Sequence, residues 1–156
     1  MKIIFHDSIT KNALDIVIRF KNEILKPDNV SKTKDKNIIL QRFRTLARSF
    51  PTYIDEWGLI PALTYLCAHA GKNPTTPEEL GTYHYFLVVV NGLKEYCGLE
   101  LLSIMPPENL YKMVLTYVDY RMERKLLPYL IAVKRIAEAL IAQPGKEQEE
   151  VSRDEH

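Results

Sequence analysis

The stretch TPEELGTYHYFLVVVNGLKEYCG, residues 76–98, decides the fold class. Its centre, FLVVV over Phe86–Val90, is a run of apolar and β-branched residues that taken alone suits a buried strand. The ends of the stretch point the other way. Thr76 and Glu79 have the spacing of a capping box, Pro77 stands at the first helical position, and Gly98 marks the far end. A strand also needs a partner, and no other segment alternates well enough to supply one. The run therefore reads as the middle of a mostly buried helix, in an all-α chain.

Helical periodicity continues outward in both directions. From Ser8, read as an N-cap, Ile9, Ala13, Ile16, Phe20 and Ile24 recur every three or four residues and predict a helix ending near Pro27. Asp28 to Lys34 is a polar connection. In the next segment Ile39, Phe43, Leu46, Phe50, Ile54 and Trp57 stay in phase on both sides of Pro51, which predicts one kinked helix stopped by Gly58, with Trp57 buried. Pro61 opens a short helix closed by Gly71, and Pro106–Pro107 open another, ENLYKMVLTYVDY. The last stripe is Leu126, Leu130, Val133, Ala137, Leu140 and Ile141. Pro128 within it calls for a first turn beginning near Arg124. These readings give a compact bundle of about six helices, one helical domain over residues 1–143, and a disordered acidic tail over residues 144–156.

A chain of 156 residues with a formal net charge of +1 is large enough for one core and is not broadly basic, so any attraction to nucleic acid must be local. Cys67 and Cys97 lack CxxC spacing and read as core residues in a reducing, cytoplasmic setting. No stretch approaches the length of a membrane span.

Catalytic patterns are scarce. HExxH, GxSxG, a glycine-rich phosphate cradle and paired metal ligands are all missing, so no metal site and no cofactor is expected. His69 and His84 fall on helices as packing residues, and an acid–base role beside Asp7 for His6 is the weaker reading. Tyr111, Tyr117, Tyr120 and Tyr129 read as core residues with hydroxyls toward solvent.

The charge pattern is more informative. Lys32, Lys34, Lys36, Arg42, Arg44 and Arg48 gather in one segment with only Asp35 among them. On a helical wheel Arg44 and Arg48 share one flank of the apolar stripe and Arg42 projects on the other, while in the last helix Lys134 lies at the edge of the stripe and Arg135 points directly away from it. One reading is a solvated face whose arginine stems cover the core. A face meant only for solubility mixes signs, however, and one that meets phosphates does not. Lys36, Arg42, Arg44, Arg48, Lys134 and Arg135 are accordingly the candidate nucleic-acid contacts.

Arg44-Thr45-Leu46-Ala47-Arg48-Ser49-Phe50-Pro51, then Ile54, Gly58-Leu59 and Ala62-Leu63-Thr64-Tyr65-Leu66, together with Lys134-Arg135-Ile136-Ala137-Glu138-Ala139, resemble the small subunit of the Cmr complex, the type III-B CRISPR RNA-guided effector. The resemblance implies a non-catalytic helical subunit in antiviral defence, present in several copies. It would stack beside the backbone subunits and help form a basic channel for guide and target RNA. Its partners would be other Cmr subunits, further copies of itself and RNA, with no membrane and no small-molecule substrate. The alternatives are the small subunit of the type III-A complex and a stand-alone helical nucleic-acid-binding protein.

Overall fold

The 76–98 stretch is helical from end to end, as helix α4, Pro77–Cys97. The Thr76 hydroxyl accepts the Glu79 N–H at 3.2 Å and the Glu79 carboxylate accepts the Thr76 N–H at 3.1 Å, completing the capping box. At the other end Gly98 turns left-handed, with φ of 70°, and the Leu99 N–H returns to the Leu93 carbonyl. Phe86, Val88, Val89 and Val90 are buried. Burial on nearly all sides explains why a strand-like run is stable as a helix: packing outweighs the few tenths of a kcal/mol that each β-branched residue costs.

A computed structural model describes residues 2–26, 33–100 and 105–143, with residues 2–7 described by backbone alone. Around α4 stand α1 (Lys2–Ile24), α2 (Thr33–Trp57), α3 (Leu59–Ala70), α5 (Pro107–Tyr117) and α6 (Glu123–Leu140), the last entered through a 3₁₀ turn at Tyr120–Met122. No strand occurs among the described residues. The acidic tail and the connection before Thr33 fall outside them, so Lys32 and residues 144–156 have no structural account.

Helix α2 is the hub. It packs against α4, α6, α3 and α1. Its Phe43 and Phe50 both meet the Tyr85 ring of α4 edge-on at 5.5 Å, and Phe20 of α1 stacks on Phe43 at 4.0 Å. Two glycines let the neighbouring helices come this close to α4. A Cβ at Gly81 would stand 2.7 Å from the Ile39 carbonyl oxygen and 2.7 Å from the Arg42 Cβ, both on α2. One at Gly92 would stand 2.5 Å from the Tyr129 ring of α6.

Several expectations are corrected in detail. Helix α1 begins at Lys2, so Ser8 lies inside it and caps nothing; no proline or glycine in residues 2–7 stops the helix from extending. Its buried face is Ala13, Val17, Phe20 and Ile24, with Ile9 and Ile16 at the edges. Helix α2 does run through Pro51 with Ile39, Phe43, Leu46, Phe50 and Ile54 buried. Trp57, however, is 47 % exposed. It is the last residue of α2, the chain turns away at Gly58, and only the Tyr53 and Tyr65 rings are stacked or tilted against it.

Pro128 stands beyond the first turn of α6, which starts at Glu123. The carbonyl it leaves unpaired is that of Arg124, and both residues are exposed, so water can serve that oxygen. Of the four tyrosines read as core, Tyr111 and Tyr129 are buried, whereas Tyr117 and Tyr120 are 61 % and 70 % exposed. The extended Val118 after Tyr117 breaks the helical phase that would have turned Tyr120 inward.

Gly81→Ala tests the α2–α4 approach. In an open helix this change stabilises by up to about 1 kcal/mol. Here the obstacle is backbone oxygen that cannot rotate away, so the expected result is a net loss of about 1–3 kcal/mol in chemical denaturation. A gain in stability would refute the close contact.

Candidate nucleic-acid interface

The basic residues divide into those that hold the bundle together and those that do not. Helix α6 has no basic residue in its last turn and ends at Ile141 in an extended conformation, which leaves its final carbonyls in need of donors. Other helices provide them. Lys21 Nζ of α1 donates to the Leu140 carbonyl at 2.7 Å and Arg44 Nε of α2 to the Ile141 carbonyl at 2.9 Å, while Gln41 Nε2 donates to that of Ala142. Both cations also sit at the negative end of the α6 dipole. Lys36 does the same for α1, donating to the Lys26 carbonyl at 3.0 Å just past the helix end.

Arg42 lies on the opposite flank. Its Nε donates to the Thr82 hydroxyl at 3.1 Å and its Nη2 reaches the Tyr65 hydroxyl at 3.5 Å, while its stem lies against Gly81. The two flanks inferred from the helical wheel are thus real, and Lys36, Arg42 and Arg44 each have a partner within the chain.

Arg48, Lys134 and Arg135 remain. Arg48 Nε is 4.0 Å from Glu138 Oε1, with side-chain exposures of 63 % and 35 %, so the pair is worth little and leaves the guanidinium open to other ligands. Helices α2 and α6 run antiparallel here, since Arg44 meets Ile141 while Arg48 meets Glu138. Lys134 and Arg135 therefore lie one turn further along α6, Lys134 half-buried at the edge of the packed stripe and Arg135 exposed on the outer side. Neither makes a hydrogen bond or ion pair with the described residues. The six candidate contacts thus reduce to three cations in or beside the α2–α6 seam, of which Arg48 alone has a carboxylate, Glu138, within reach. Lys21, the partner of Arg44 at the end of α6, was not singled out in the sequence because its role depends on where α6 ends.

The titratable groups elsewhere are suited to packing. His84 lies 5.1 Å from the Phe20 ring, and burial holds its pKa below the ordinary histidine value despite the opposing charge of Glu23. His69 packs on Tyr65 at 4.0 Å, with Nδ1 2.9 Å from the Tyr65 carbonyl. Burial pushes the Cys67 thiol up to about 12 and raises that of Cys97, so both stay protonated and weakly nucleophilic near neutral pH. No group of three or more metal-ligating side chains occurs among the described residues. No described helix is long and apolar enough to cross a membrane. No family model matches the chain, and no curated protein or solved structure matches it either.

Two measurements separate structural from surface roles. Arg44→Met keeps the stem but removes the donor to Ile141, and an exposed end of α6 should cost about 1–2 kcal/mol of stability. Arg135→Met should stay within about 0.5 kcal/mol of wild type; equal effects would contradict this division. For His84, the depressed folded pKa means that the unfolded chain takes up its proton first as pH falls. That contribution is intact above the ordinary value of about 6.5 and is lost below it. Urea midpoints should drop from pH 7 to pH 5 by less in His84→Phe than in wild type, and identical drops would exclude His84 as a source.

Proposed function

We propose that the chain is a non-catalytic small subunit of a type III-B CRISPR RNA-guided effector, and that its α2–α6 seam meets the phosphates of guide or target RNA. The observation that carries the reading is the seam itself. Arg48 has one long ion pair, to Glu138, while Lys134 and Arg135, one turn away on α6, have no partner among the described residues. Cations with no work to do in the fold are free to neutralise phosphates, and such contacts hold a strand in place without reading its bases.

The resemblance of residues 44–66 and 134–139 to the Cmr small subunit supplies the rest of the reading, since Arg48, Lys134 and Arg135 lie within those segments. Bases would be read by pairing between guide and target, and cleavage would belong to other subunits. Copies of the chain would line up beside the backbone subunits, each adding a few phosphate contacts to a shared channel, so binding by one copy alone would be weak.

The test is the double variant Arg48→Glu/Arg135→Glu, assembled with the backbone subunit and guide RNA. Melting of the isolated chain should be unchanged, while retention of target RNA should fall and its salt dependence flatten by about 0.7 in log–log slope per lost phosphate contact. Unchanged retention would remove the seam as an RNA contact. Failure to join the backbone subunit would remove the assembly reading and favour a stand-alone binder.

A further inference from the structure

The chain leaves its last helix along a defined track. Arg48 reaches Glu138, Arg44 the Ile141 carbonyl and Gln41 the Ala142 carbonyl, so each step past the end of α6 is a step back toward the start of α2. Next on that side of α2 come Asn37 and Lys34, since positions 48, 44, 41, 37 and 34 recur at three- and four-residue spacing and share one face. A groove of about 250 Å³ opens at this point. Lys21 and Leu25 of α1, Asn37 and Gln41 of α2, and Ile141 and Ala142 beyond α6 line it. Leu25 is left 46 % exposed there.

The surroundings of the groove are cationic. Lys26 adjoins Leu25 and Lys34 lies one turn before Asn37, both exposed, while Lys36 is half-buried with its ammonium on the Lys26 carbonyl at 3.0 Å. The positive end of the α2 dipole adds to them. The acids of the same elements are placed elsewhere: Asp35 falls on the other side of α2 by its spacing, and Glu23 lies near enough to His84 to oppose the fall in its pKa. The residues that follow Gln143 carry the opposite charge. Segment 144–156, PGKEQEEVSRDEH, has five acids against two bases, with Glu147, Glu149 and Glu150 grouped together. Glu150 is seven residues beyond Gln143. Such a stretch has an r.m.s. span of about 15 Å, and Lys34 lies only about 10 Å along α2 from Gln41.

We propose that residues 144–156 dock back on their own bundle, entering the α1–α2 groove beyond Ala142 and setting Glu147, Glu149 and Glu150 against Lys26, Lys34 and Lys36. The docked carboxylates stand where phosphates would, so the segment competes with nucleic acid for the basic face of α2. Exposed ion pairs are individually weak, but attachment holds the acids at a millimolar effective concentration, at which even a contact of millimolar affinity is about half occupied. A nucleic acid has to displace them. That favours a long polyanion, which meets Arg48 and Arg135 as well, over a single phosphate. The docking stands on the groove, the track of the chain and the charges; the competition rests on the reading of the chain as an RNA-contacting protein.

The experiment compares the full chain with Glu147→Gln/Glu149→Gln/Glu150→Gln, which keeps its length. Backbone amide resonances of Leu25, Asn37 and Gln41 are recorded without RNA, and affinity for a short single-stranded oligoadenylate is then measured. Docking predicts that these amides shift in the variant, that about 0.5 M salt moves those of wild type the same way, and that α3 and α5 stay unchanged. The variant should bind the oligoadenylate about twofold to tenfold more tightly. Asp55→Asn/Glu56→Gln/Glu95→Gln makes the same change of charge away from the groove and should gain less. An equal gain would reduce the effect to net charge and overturn the competition. Groove amides indifferent to both the variant and salt would overturn the docking. Shifts that grow with protein concentration would also overturn it, by assigning the groove to a neighbouring copy. Amides that respond as predicted in a chain that binds no RNA would uphold the docking and overturn the competition, together with RNA binding by the single chain.

Discussion

The approach of α2 to α4 at Gly81 is the constraint on which the rest of the bundle depends. There the α2 backbone at Ile39 comes so near α4 that no side chain fits between them. That distance lets Phe43 and Phe50 reach the two sides of Tyr85 further along the same pair of helices. With α2 fixed on α4, its remaining sides become docking surfaces for α1, α3 and α6. Phe20 then closes over Phe43. The Thr82 hydroxyl, one residue past Gly81, accepts from Arg42 and donates to the Glu78 carbonyl, so the tight contact is also where a side chain of α2 is hydrogen-bonded to α4.

How much of this was legible in the sequence depended on whether the deciding interaction was local. The ends of α4 were readable because a capping box and a left-handed glycine involve residues only a few positions apart. The passage of α2 through Pro51 was readable because the apolar phase on either side requires a single helix. Trp57 was misread because helical phase says which way a residue points, and not whether a neighbouring helix extends far enough to cover it. At the end of α2 none does. The beginning of α1 was misplaced because Ser8 has the chemistry of a cap but is used as one only if the helix starts there.

The candidate site was legible to a lesser degree, for the same reason. The cationic bias of residues 32–48 has a structural component that a single segment cannot display. The ends of α1 and α6 require donors, and Lys36, Arg44 and the distant Lys21 supply them. Which carbonyls these cations reach is set by packing between residues 10, 97 and 119 positions apart. A basic run in a helical protein is therefore not by itself a record of what the protein binds. Part of it neutralises the negative ends of other helices.

That subtraction sharpens the functional reading. Once the cations with partners in the chain are set aside, the seam keeps Arg48, Lys134 and Arg135, whose charges do little for the fold. The other flank keeps a different kind of surplus, an exposed indole ordered by stacking and not by burial. Charge acts over several ångströms and tolerates many partner geometries, whereas a ring face binds only a flat group lying against it. The two sides of α2 thus leave different things over once the fold is accounted for: weakly paired charge toward α6, and an aromatic stack toward α3.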